Sequence, residues 1–390
     1  MISVEEAKKL ISEHISSLKP VIKPLQQAAE HVLTNDIFAA FDIPAFAQSS
    51  MDGYAIIFGE QTTNLNLIGE MAAGTANKLT LTKGQAIRIF TGAPLPDGAD
   101  TVVMQEKTSR ENNTISFQDE QLVLGSNVRP IGSEISTGEL AMKKGDWLSP
   151  ASLAFLAGIG IHEVEVYPMP RVAIILTGNE LQQPGLALNF GQVYESNSYS
   201  LVAALNKEGI REIEVLTAED TLETLTDVLK GALAKNDLVL LTGGVSVGDY
   251  DFVLDAAANC GVKQIFHKVK QKPGKPLFFG KKDDQVIFGL PGNPSSVLNC
   301  YYNYVVPAIK LLSSKENNIK TVTAELTHDY KKNPGLTHFL KGNFADAKAT
   351  PLGAQESYRL SSFAQANCLI QLDELQQEFK AGEMVEVILI

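Results

Sequence analysis

Basic residues are in the minority in this sequence. It holds 33 lysines and arginines against 45 aspartates and glutamates, so that its formal net charge is −12. An excess of negative charge repels the phosphates of nucleic acids and of anionic membranes. We therefore expect neither as a partner, and an anionic ligand would need a local cluster of basic side chains.

Cysteine is scarce, and long apolar runs are missing. Cys260, Cys300 and Cys368 are far apart, without Cys-x-x-Cys or Cys/His metal spacing. An odd, scattered set argues against a disulfide framework, so we expect reduced, buried thiols. No run approaches membrane-spanning length, and the first residues lack the basic-then-apolar pattern of a signal peptide. We expect a cytoplasmic protein.

The 390 residues exceed one ordinary domain, and the spacing of apolar residues changes along the chain. Apolar residues at helical spacing predict helices at 3–18, 25–33 and 149–160, whereas short alternating runs between them predict β-structure. The helices on the two sides are expected to pack together. We predict an elongated helical domain (1–42 and 141–168), an inserted β-rich domain (43–140), an α/β domain (169–314) and a small C-terminal β-barrel (315–390).

The segment 169–314 alternates apolar strands with helices, one of which we expect Asp220 to cap. This alternation predicts a doubly wound, mostly parallel sheet, in which ligands bind outside the carboxyl ends of the strands. The polar residues expected at that edge are Glu180, Glu219, Asp220, Asp249, Asp251, Lys272, Lys275 and the turn 291–294. Their convergence predicts a ligand site.

Three glycines, Gly243, Gly244 and Gly248, follow the buried strand 238–241 and precede a helix. Such a turn can aim backbone N–H groups at an anion. Because Asp249 and Asp251 lie in the same turn, a bound phosphate would need a divalent cation between itself and the carboxylates.

A second glycine turn and a lysine cluster follow. Residues 267–275 contain four lysines, stiffened by Pro273 and Pro276, and the turn 289–294 leads into a helix that begins near Ser295 and Ser296. Two glycine turns, paired carboxylates and lysines together favour one oxyanion-and-metal site over a merely solvated charged face.

Two turns of the β-rich domain leave alternatives open. Asp52 precedes Gly53 and Thr91 precedes Gly92, so each pair either shapes a loop or presents polar groups to a ligand. Arg129 and Glu134 are equally ambiguous.

Seven motifs, taken in order, resemble one family. They are Ser50-Met-Asp-Gly-Tyr-Ala55, Ile89-Phe-Thr-Gly-Ala-Pro94, Val102-Val-Met-Gln-Glu106, Thr177-Gly-Asn-Glu-Leu181, Thr242-Gly-Gly-Val-Ser-Val-Gly-Asp-Tyr-Asp251, Lys272-Pro-Gly-Lys-Pro276 and Gly289-Leu-Pro-Gly-Asn-Pro294. Each alone is weak, but together they resemble the molybdopterin molybdenumtransferase (MoeA and gephyrin E-domain) family over essentially the whole chain.

The resemblance implies an L-shaped homodimer of four-domain subunits. Such an enzyme takes adenylylated molybdopterin and molybdate, cleaves the phosphoanhydride with a divalent cation such as Mg²⁺, and releases AMP. It implies no nucleic-acid or membrane partner, and the adenylyltransferase that makes the substrate is a further candidate partner.

The resemblance also assigns residues. It implies catalytic roles for Asp52, Thr91, Glu180, Asp220 and Asp251, with Glu180, Asp220 and Asp251 at the metal. The residues it implies for substrate binding are Arg129, Glu134, Gly243, Gly244, Ser246, Lys268, Lys272, Lys275, Pro291, Pro294, Ser295, Ser296, Lys341, Ser361 and Ser362. Asp52, Thr91, Arg129 and Glu134 resemble residues that line a dimer cleft in the family.

The sequence differs from the usual family pattern at a few positions. Glu134 and Asn179 stand where aspartates are common, and Leu336 and Lys341 fall in a segment that usually carries two arginines. Lysine provides a point charge where arginine provides a planar fork.

The sequence leaves two alternative functions open, a molybdopterin adenylyltransferase and a non-catalytic scaffold. A molybdopterin adenylyltransferase typically carries Gly-Gly-Thr-Gly, whereas this chain has Gly243-Gly-Val-Ser246. A non-catalytic scaffold would have no need for the Glu180, Asp251, Lys272 and Lys275 set. Both alternatives remain open as secondary roles.

Overall fold

The computed structural model describes residues 1–60, 64–245, 252–316 and 320–390. The chain forms two compact units. The first unit comprises residues 1–23, 30–34 and 165–390, and the second comprises residues 24–29 and 35–164. The finer division into four domains, with its boundaries, stays a prediction.

The helices of the described residues are short, and three of them begin at side-chain caps. They are α1 (Val4–His14), α2 (Pro150–Gly158), α3 (Asn197–Lys207), α4 (Leu222–Leu233), α5 (Val253–Asn259), α6 (Pro294–Cys300) and α7 (Val306–Leu312), and a π-helical turn, Tyr301–Val305, joins α6 to α7. Ser3, Ser149 and Thr221 cap α1, α2 and α4 through their hydroxyl oxygens. None of the described helices is both long enough and apolar enough to cross a membrane.

One expected helix is replaced by other structure. Residues 25–33 form a 3₁₀ turn, Leu25–Gln27, and a short strand, Val32–Leu33, where we predicted a helix. The strand pairs with Val166 and Tyr167, far away in the sequence. Because this long-range pairing satisfies the backbone of Val32 and Leu33, local helical spacing does not decide their conformation.

The second unit is built mainly of β-strands, as its alternating pattern predicted. The strands of this unit are β3 (Ile37–Phe38), β4 (Gln48–Ser49), β5 (Gly53–Ile56), β6 (Leu65–Met71), β7 (Gln85–Ile89), β8 (Thr101–Met104), β9 (Thr108–Glu111), β10 (Thr114–Phe117), β11 (Val128–Arg129) and β12 (Leu140–Met142). Three further strands, β1 (Val21–Pro24), β2 (Val32–Leu33) and β13 (Glu163–Tyr167), belong wholly or largely to the first unit. Six strands of the second unit form a curved sheet in the order β8-β5-β7-β6-β10-β9, in which β6 and β7 run parallel. Alternate residues bury opposite faces of the sheet: Ile87 and Ile89 pack on one face, and Ala86 on the other.

The first unit contains the predicted doubly wound α/β sheet. Its strands and the neighbouring short ones are β14 (Val172–Thr177), β15 (Leu181–Gln182), β16 (Val193–Tyr194), β17 (Ile213–Ala218), β18 (Leu238–Thr242), β19 (Lys263–His267), β20 (Gln271–Lys272), β21 (Phe278–Lys282) and β22 (Gln285–Leu290). The sheet order is β17-β14-β18-β22-β21-β19, and β21 runs antiparallel to its two neighbours. This confirms a mostly parallel sheet.

Both faces of this sheet are buried. Ile174 and Leu240 share a core with residues of α1, α3, α6 and α7, whereas Ile175 and Leu241 pack against α4 and α5. Strands that are covered on both sides need continuous apolar runs, and all residues of β14 and β18 are buried. The sheet is therefore a rigid base for the loops at its carboxyl edge.

The C-terminal residues close into a small barrel, as predicted. Its region contains β23 (Thr321–Leu326), β24 (Tyr330–Lys331), β25 (Thr337–Ala345), β26 (Lys348–Pro351), β27 (Cys368–Leu372), β28 (Glu378–Phe379) and β29 (Met384–Leu389). The ring runs β25-β26-β23-β29-β27 and closes through the β25–β27 pair. In addition, β20 pairs in parallel with β25, with Lys272 opposite His338. This pairing joins the barrel to the carboxyl edge of the α/β sheet.

Candidate functional site

The carboxyl ends of β14, β18 and β22 open into a cleft of about 560 Å³. The described residues that line it are Thr177, Gly178, Glu180, Asp220, Gly243, Gly244, Val245, Gln271, Lys272, Pro273, Gly274, Lys275, Pro276, Pro291, Gly292, Asn293, Ser296, Leu336, Gln355 and Ser357. The edge predicted from the strand–helix alternation is therefore a cleft, and most of the predicted edge residues in the described part of the chain line it.

The glycine turn after β18 makes the close approach that its sequence predicted. Gly243 has φ +90°, and a Cβ atom there would lie 2.6 Å from the carbonyl oxygen of Thr177. Gly178, at the end of β14, has φ +146°, and its Cβ would lie 2.8 Å from a carboxylate oxygen of Glu180. A side chain at Gly243 would collide with the backbone at the end of β14, so glycine at this position allows the two turns to come together.

Two carboxylates of the predicted metal set line the cleft. The hydroxyl of Thr177 donates to Oδ1 of Asp220 at 3.1 Å, and the backbone N–H of Asp220 donates to Oδ1 of Asn179 at 3.4 Å. The prediction that Asp220 caps α4 is wrong, because Thr221 provides the cap. The carboxylate of Asp220 is therefore directed to the β14 turn and not to the helix.

The oxygen-rich side of the cleft fits a hard divalent cation. Glu180 and Asp220 provide carboxylate oxygens, the donor type that Mg²⁺ prefers. Within the described ranges, no group of three or more His, Cys, Asp or Glu side chains is arranged around a common metal position. The third predicted ligand, Asp251, lies outside the described residues, as do Ser246 and Asp249.

The lysine turn, residues 271–275, supplies the positive charge of the cleft. Lys272 and Lys275 are exposed and line the cleft, and the Lys272–Pro273 peptide bond is cis. Gly274 has φ +86°, and a Cβ there would lie 2.6 Å from Sγ of Cys300. Burial raises the pKa of the Cys300 thiol, so that this sulfur is a packing group behind the turn.

The first turn of α6 closes another side of the cleft. Pro294 is its first residue and Ser296 lines the cleft, while the backbone N–H of Ser295 donates to the carbonyl of Ser357 at 3.1 Å. Nδ2 of Asn293 donates to the hydroxyl of Ser357 at 2.9 Å. The hydroxyl of Ser295 is buried and has no hydrogen-bond partner among the described residues. A barrel loop thus supports the turn before α6.

Several predicted binding residues lie outside the cleft lining in the described part of the chain. Lys268 follows β19, where its backbone N–H donates to the carbonyl of Leu277 at 3.0 Å. Ser361 is exposed, and the hydroxyl of Ser362 donates to the carbonyl of Ala354 at 2.8 Å. Their roles as substrate ligands stay predictions.

Lys341 is also outside the cleft lining, and its ammonium group has another task. The residue is 2% exposed, and Nζ donates to the carbonyls of Ala354, Glu356 and Arg359 at 2.8, 3.3 and 3.0 Å. Burial lowers the pKa of Lys341. These three hydrogen bonds hold the barrel loop from which Gln355 and Ser357 reach the cleft.

Four predicted residues belong to the second unit. Asp52 and Thr91 lie together, because Oδ1 of Asp52 accepts from both the N–H and the hydroxyl of Thr91 at 2.8 Å. These two bonds lower the pKa of Asp52. Arg129 and Glu134 are exposed, Arg129 on β11 opposite Gln48. The Asp52–Thr91 pair is thus a formed unit of structure, whereas Arg129 and Glu134 extend into solvent.

Sequence reasoning missed the part of the cleft that the barrel provides. Gln355 and Ser357 line it, and so does the buried Gln271 at the base of the lysine turn. These residues reach the cleft because β20 pairs with β25, whose residues lie about 65 positions later in the sequence. A pairing over this distance leaves no local sequence pattern that could have predicted it.

Comparison with known families matches nearly the whole chain. Residues 2–160 match the MoeA N-terminal region (domain I and II), residues 173–311 a probable molybdopterin binding domain, and residues 323–390 the MoeA C-terminal region (domain IV). A molybdopterin molybdenumtransferase of Staphylococcus epidermidis is 35% identical over 401 residues, and one of Staphylococcus aureus is 33% identical over 400. Each alignment covers 100% of this chain and 95% of the relative.

Solved MoeA structures have the same fold as this chain. A molybdopterin biosynthesis MoeA protein from Pyrococcus horikoshii superposes with a TM-score of 0.83 at 30% identity, covering 100% of this chain and 99% of that chain. A second MoeA structure from the same organism gives a TM-score of 0.77 at 29% identity and covers both chains completely. The predicted multidomain fold is confirmed.

Proposed function

This chain belongs to the MoeA family of molybdopterin molybdenumtransferases, and we propose that it inserts molybdenum into adenylylated molybdopterin. In the proposed reaction the phosphoanhydride bond of the adenylylated substrate is cleaved, AMP leaves, and molybdenum from molybdate stays on the dithiolene. The reaction belongs to molybdenum cofactor biosynthesis.

The observation that carries this proposal is the composition of the cleft. One cavity of about 560 Å³ brings together Lys272 and Lys275, the carboxylates of Glu180 and Asp220, and two glycine turns. A phosphoanhydride and an oxyanion both require cations and N–H donors, and a hard cation requires carboxylates. The lysines and N–H groups suit both anionic substrates, and the carboxylates suit the divalent cation that would accompany the phosphoanhydride.

We assign the lysines to the anions. Molybdate is a dianion, and ammonium groups fixed beside backbone N–H groups stabilise such charge more strongly than mobile water does. Lys272 and Lys275 flank the turn 273–274 and line the same cleft, and this shared location supports their assignment to one bound anion. Since molybdate and tungstate have nearly the same size and charge, we expect both oxyanions to bind.

Glu180 and Asp220 would hold a divalent cation, for which Mg²⁺ is the candidate. When bound, such a cation neutralises phosphate charge and polarises the bond to the leaving group. The chain itself orients one of these carboxylates, because the hydroxyl of Thr177 donates to Asp220 at 3.1 Å. Asp251 is the proposed third carboxylate.

We further propose that the protein acts as a homodimer in the cytoplasm. Large apolar side chains are exposed on the second unit, among them Phe38 and Leu140, which are cross-strand partners on β3 and β12. The three described cysteines are free thiols, which suits a reducing compartment. The adenylyltransferase that produces the activated pterin is the proposed partner for substrate delivery.

A substitution in the lysine turn tests the anion assignment. Lys275→Ala removes one cation from the cleft, and we expect the half-saturating molybdate concentration to rise about tenfold, since a charge-assisted hydrogen bond contributes ~1.5 kcal/mol or more. Molybdate-dependent AMP release is measured over a range of molybdate concentrations. Lys263→Ala, an exposed lysine on β19, is the matched control and should change nothing. An unchanged molybdate dependence in the Lys275 variant would remove this lysine from the site.

A further inference from the structure

Hydrogen bonds from three completely buried polar side chains fix the backbone of the lysine turn. Nε2 of Gln271 donates to the carbonyl of Gly274 at 2.8 Å, and Nδ2 of Asn299 donates to the carbonyl of Pro273 at 3.0 Å. The hydroxyl of Tyr304 donates to Oε1 of Gln271. All three residues are 0% exposed. The backbone between Lys272 and Lys275 is therefore tied to the helix that follows the cleft.

This helix is the continuous segment of α6, the π-helical turn and α7, and its shape explains how Asn299 and Tyr304 both reach the lysine turn. Asn299 and Tyr304 are five residues apart, and in a regular α-helix they would point about 140° apart. The π-helical turn Tyr301–Val305 widens the helix between α6 and α7, and π-helical bonds join residues five apart. The widened segment thus brings Asn299 and Tyr304 to the same side, where both bind the 271–274 segment.

Such a network costs more to bury than an apolar core of the same volume. Buried amides and hydroxyls are tolerated when they are hydrogen-bonded. When one partner is lost, the other stays buried and unsatisfied, and the protein loses stability. Neighbouring Tyr301 is a useful contrast: it is also 0% exposed on the same π-helical turn, but its hydroxyl has no hydrogen-bond partner within the described part of the chain. Burial alone therefore does not account for the bonds that Tyr304 and Asn299 make.

We propose that Gln271, Asn299 and Tyr304 are positioning residues that fix the lysine turn in its binding conformation before the anion arrives. This inference rests on the proposed function, because it assigns the turn to oxyanion binding. A turn that is already ordered does not lose conformational freedom when the ligand binds, so its affinity is higher than that of a mobile turn with the same two lysines. The three residues act through the turn, because their side-chain bonds go to the backbone of residues 273–274 and to one another.

The test compares two single-hydroxyl deletions, Tyr304→Phe and Tyr301→Phe, in the full chain. Tyr304→Phe leaves Gln271 without its donor, and we expect the half-saturating molybdate concentration to rise about fivefold, as one lost hydrogen bond predicts. The maximal rate should change less than twofold, because the lysines themselves remain. Amide hydrogen exchange of the peptide 268–277 should become faster in the same variant. Tyr301→Phe should match the wild type in all three measurements.

The two arms separate this inference from the proposed function. If wild-type protein releases no AMP in response to molybdate, the proposed function fails, and the exchange arm still decides whether the network holds the turn. If Tyr304→Phe and Tyr301→Phe behave alike in exchange and in molybdate dependence, the positioning role is wrong. Gln271→Met, which removes the bond to Gly274 with little change in length, must reproduce the Tyr304→Phe result, and a Gln271→Met protein with wild-type exchange would also overturn the inference.

Discussion

His338 is a titratable side chain at the junction between the barrel and the carboxyl edge of the α/β sheet. It lies on β25 opposite Lys272 and is 7% exposed. Burial, with smaller contributions from Lys272 and Lys332, lowers the pKa of His338 from 6.5 to about 4. A charge on this imidazole would lie beside one of the two lysines that the cleft uses.

We therefore predict that His338 makes the folded protein sensitive to mild acid. Its folded-state pKa is below its unfolded-state pKa, so the unfolded chain binds the proton first as the pH falls. The stability from the neutral imidazole is present above pH 6.5 and is lost as the pH falls toward 4. The loss in unfolding free energy is on the order of 3 kcal/mol.

The measurement is urea unfolding at pH 7 and pH 4.5 of the wild type and of His338→Gln, which cannot titrate. The wild type should lose more stability than the variant between these two pH values, because the carboxylates are common to both proteins. Equal losses would mean that folding does not lower the pKa of His338, and would contradict this prediction.

Single residues were the least predictable level of the site. Asp220 was expected to cap α4, but Thr221 is one position closer to the helix and has the extended backbone that a cap requires. Lys341 was expected at the substrate because it falls in a segment that usually carries two arginines in the family. Its ammonium on β25 donates to three loop carbonyls, and its role at the substrate stays a prediction. Residue type identified the chemistry, whereas the direction of each side chain depended on its element.

At the scale of elements, Gly243 and Gly231 show why glycine is required at one position, just after β18, and replaceable at another, in α4. Gly243→Ala places a Cβ at φ +90° and 2.6 Å from the carbonyl of Thr177. We predict a loss of roughly 1–3 kcal/mol in unfolding free energy. Gly231→Ala, in the exposed last turn of α4 with nothing within 4 Å of the added Cβ, should instead stabilise the protein by about 0.5–1 kcal/mol.

Both variants are measured by urea unfolding at one pH. The pair distinguishes a steric requirement from a general effect of adding a methyl group, because the change is the same and the surroundings differ. A Gly243→Ala protein as stable as the wild type would mean that the turns after β14 and β18 separate without cost.

Elements with strong local patterns were predictable, and those fixed by distant partners were not. The strands β14, β18 and β22 read directly as apolar runs because both faces of the sheet are covered. The 25–33 segment has helical spacing, but Val32 and Leu33 pair with residues more than 130 positions later. The β20–β25 pair, which adds the barrel wall of the cleft, was invisible to local pattern for the same reason.

At the scale of the whole molecule, the proposed homodimer predicts a particle of twice 42.2 kDa. Phe38 is 54% exposed opposite Leu140 on β12, and exposed apolar patches of this kind favour association. We expect Phe38→Glu to weaken the dimer at least tenfold in dissociation constant, as loss of a buried aromatic contact predicts. Sedimentation velocity over a range of protein concentrations measures it.

The matched control is Leu375→Glu, which places the same charge on a barrel loop where Leu375 is 76% exposed. This variant should sediment as the wild type does. A wild-type protein that sediments with the mass of one chain at micromolar concentration would contradict the homodimer.

The most direct test of the central proposal is AMP release from adenylylated molybdopterin by wild-type protein, with Mg²⁺, in the presence and absence of molybdate. A cleft that combines Lys272 and Lys275 with Glu180 and Asp220 should bind both substrates together. The account predicts that AMP release depends on molybdate and that molybdenum is recovered on the pterin. Bound substrate without AMP release, with molybdate present, would contradict it and would favour a scaffold on the same fold.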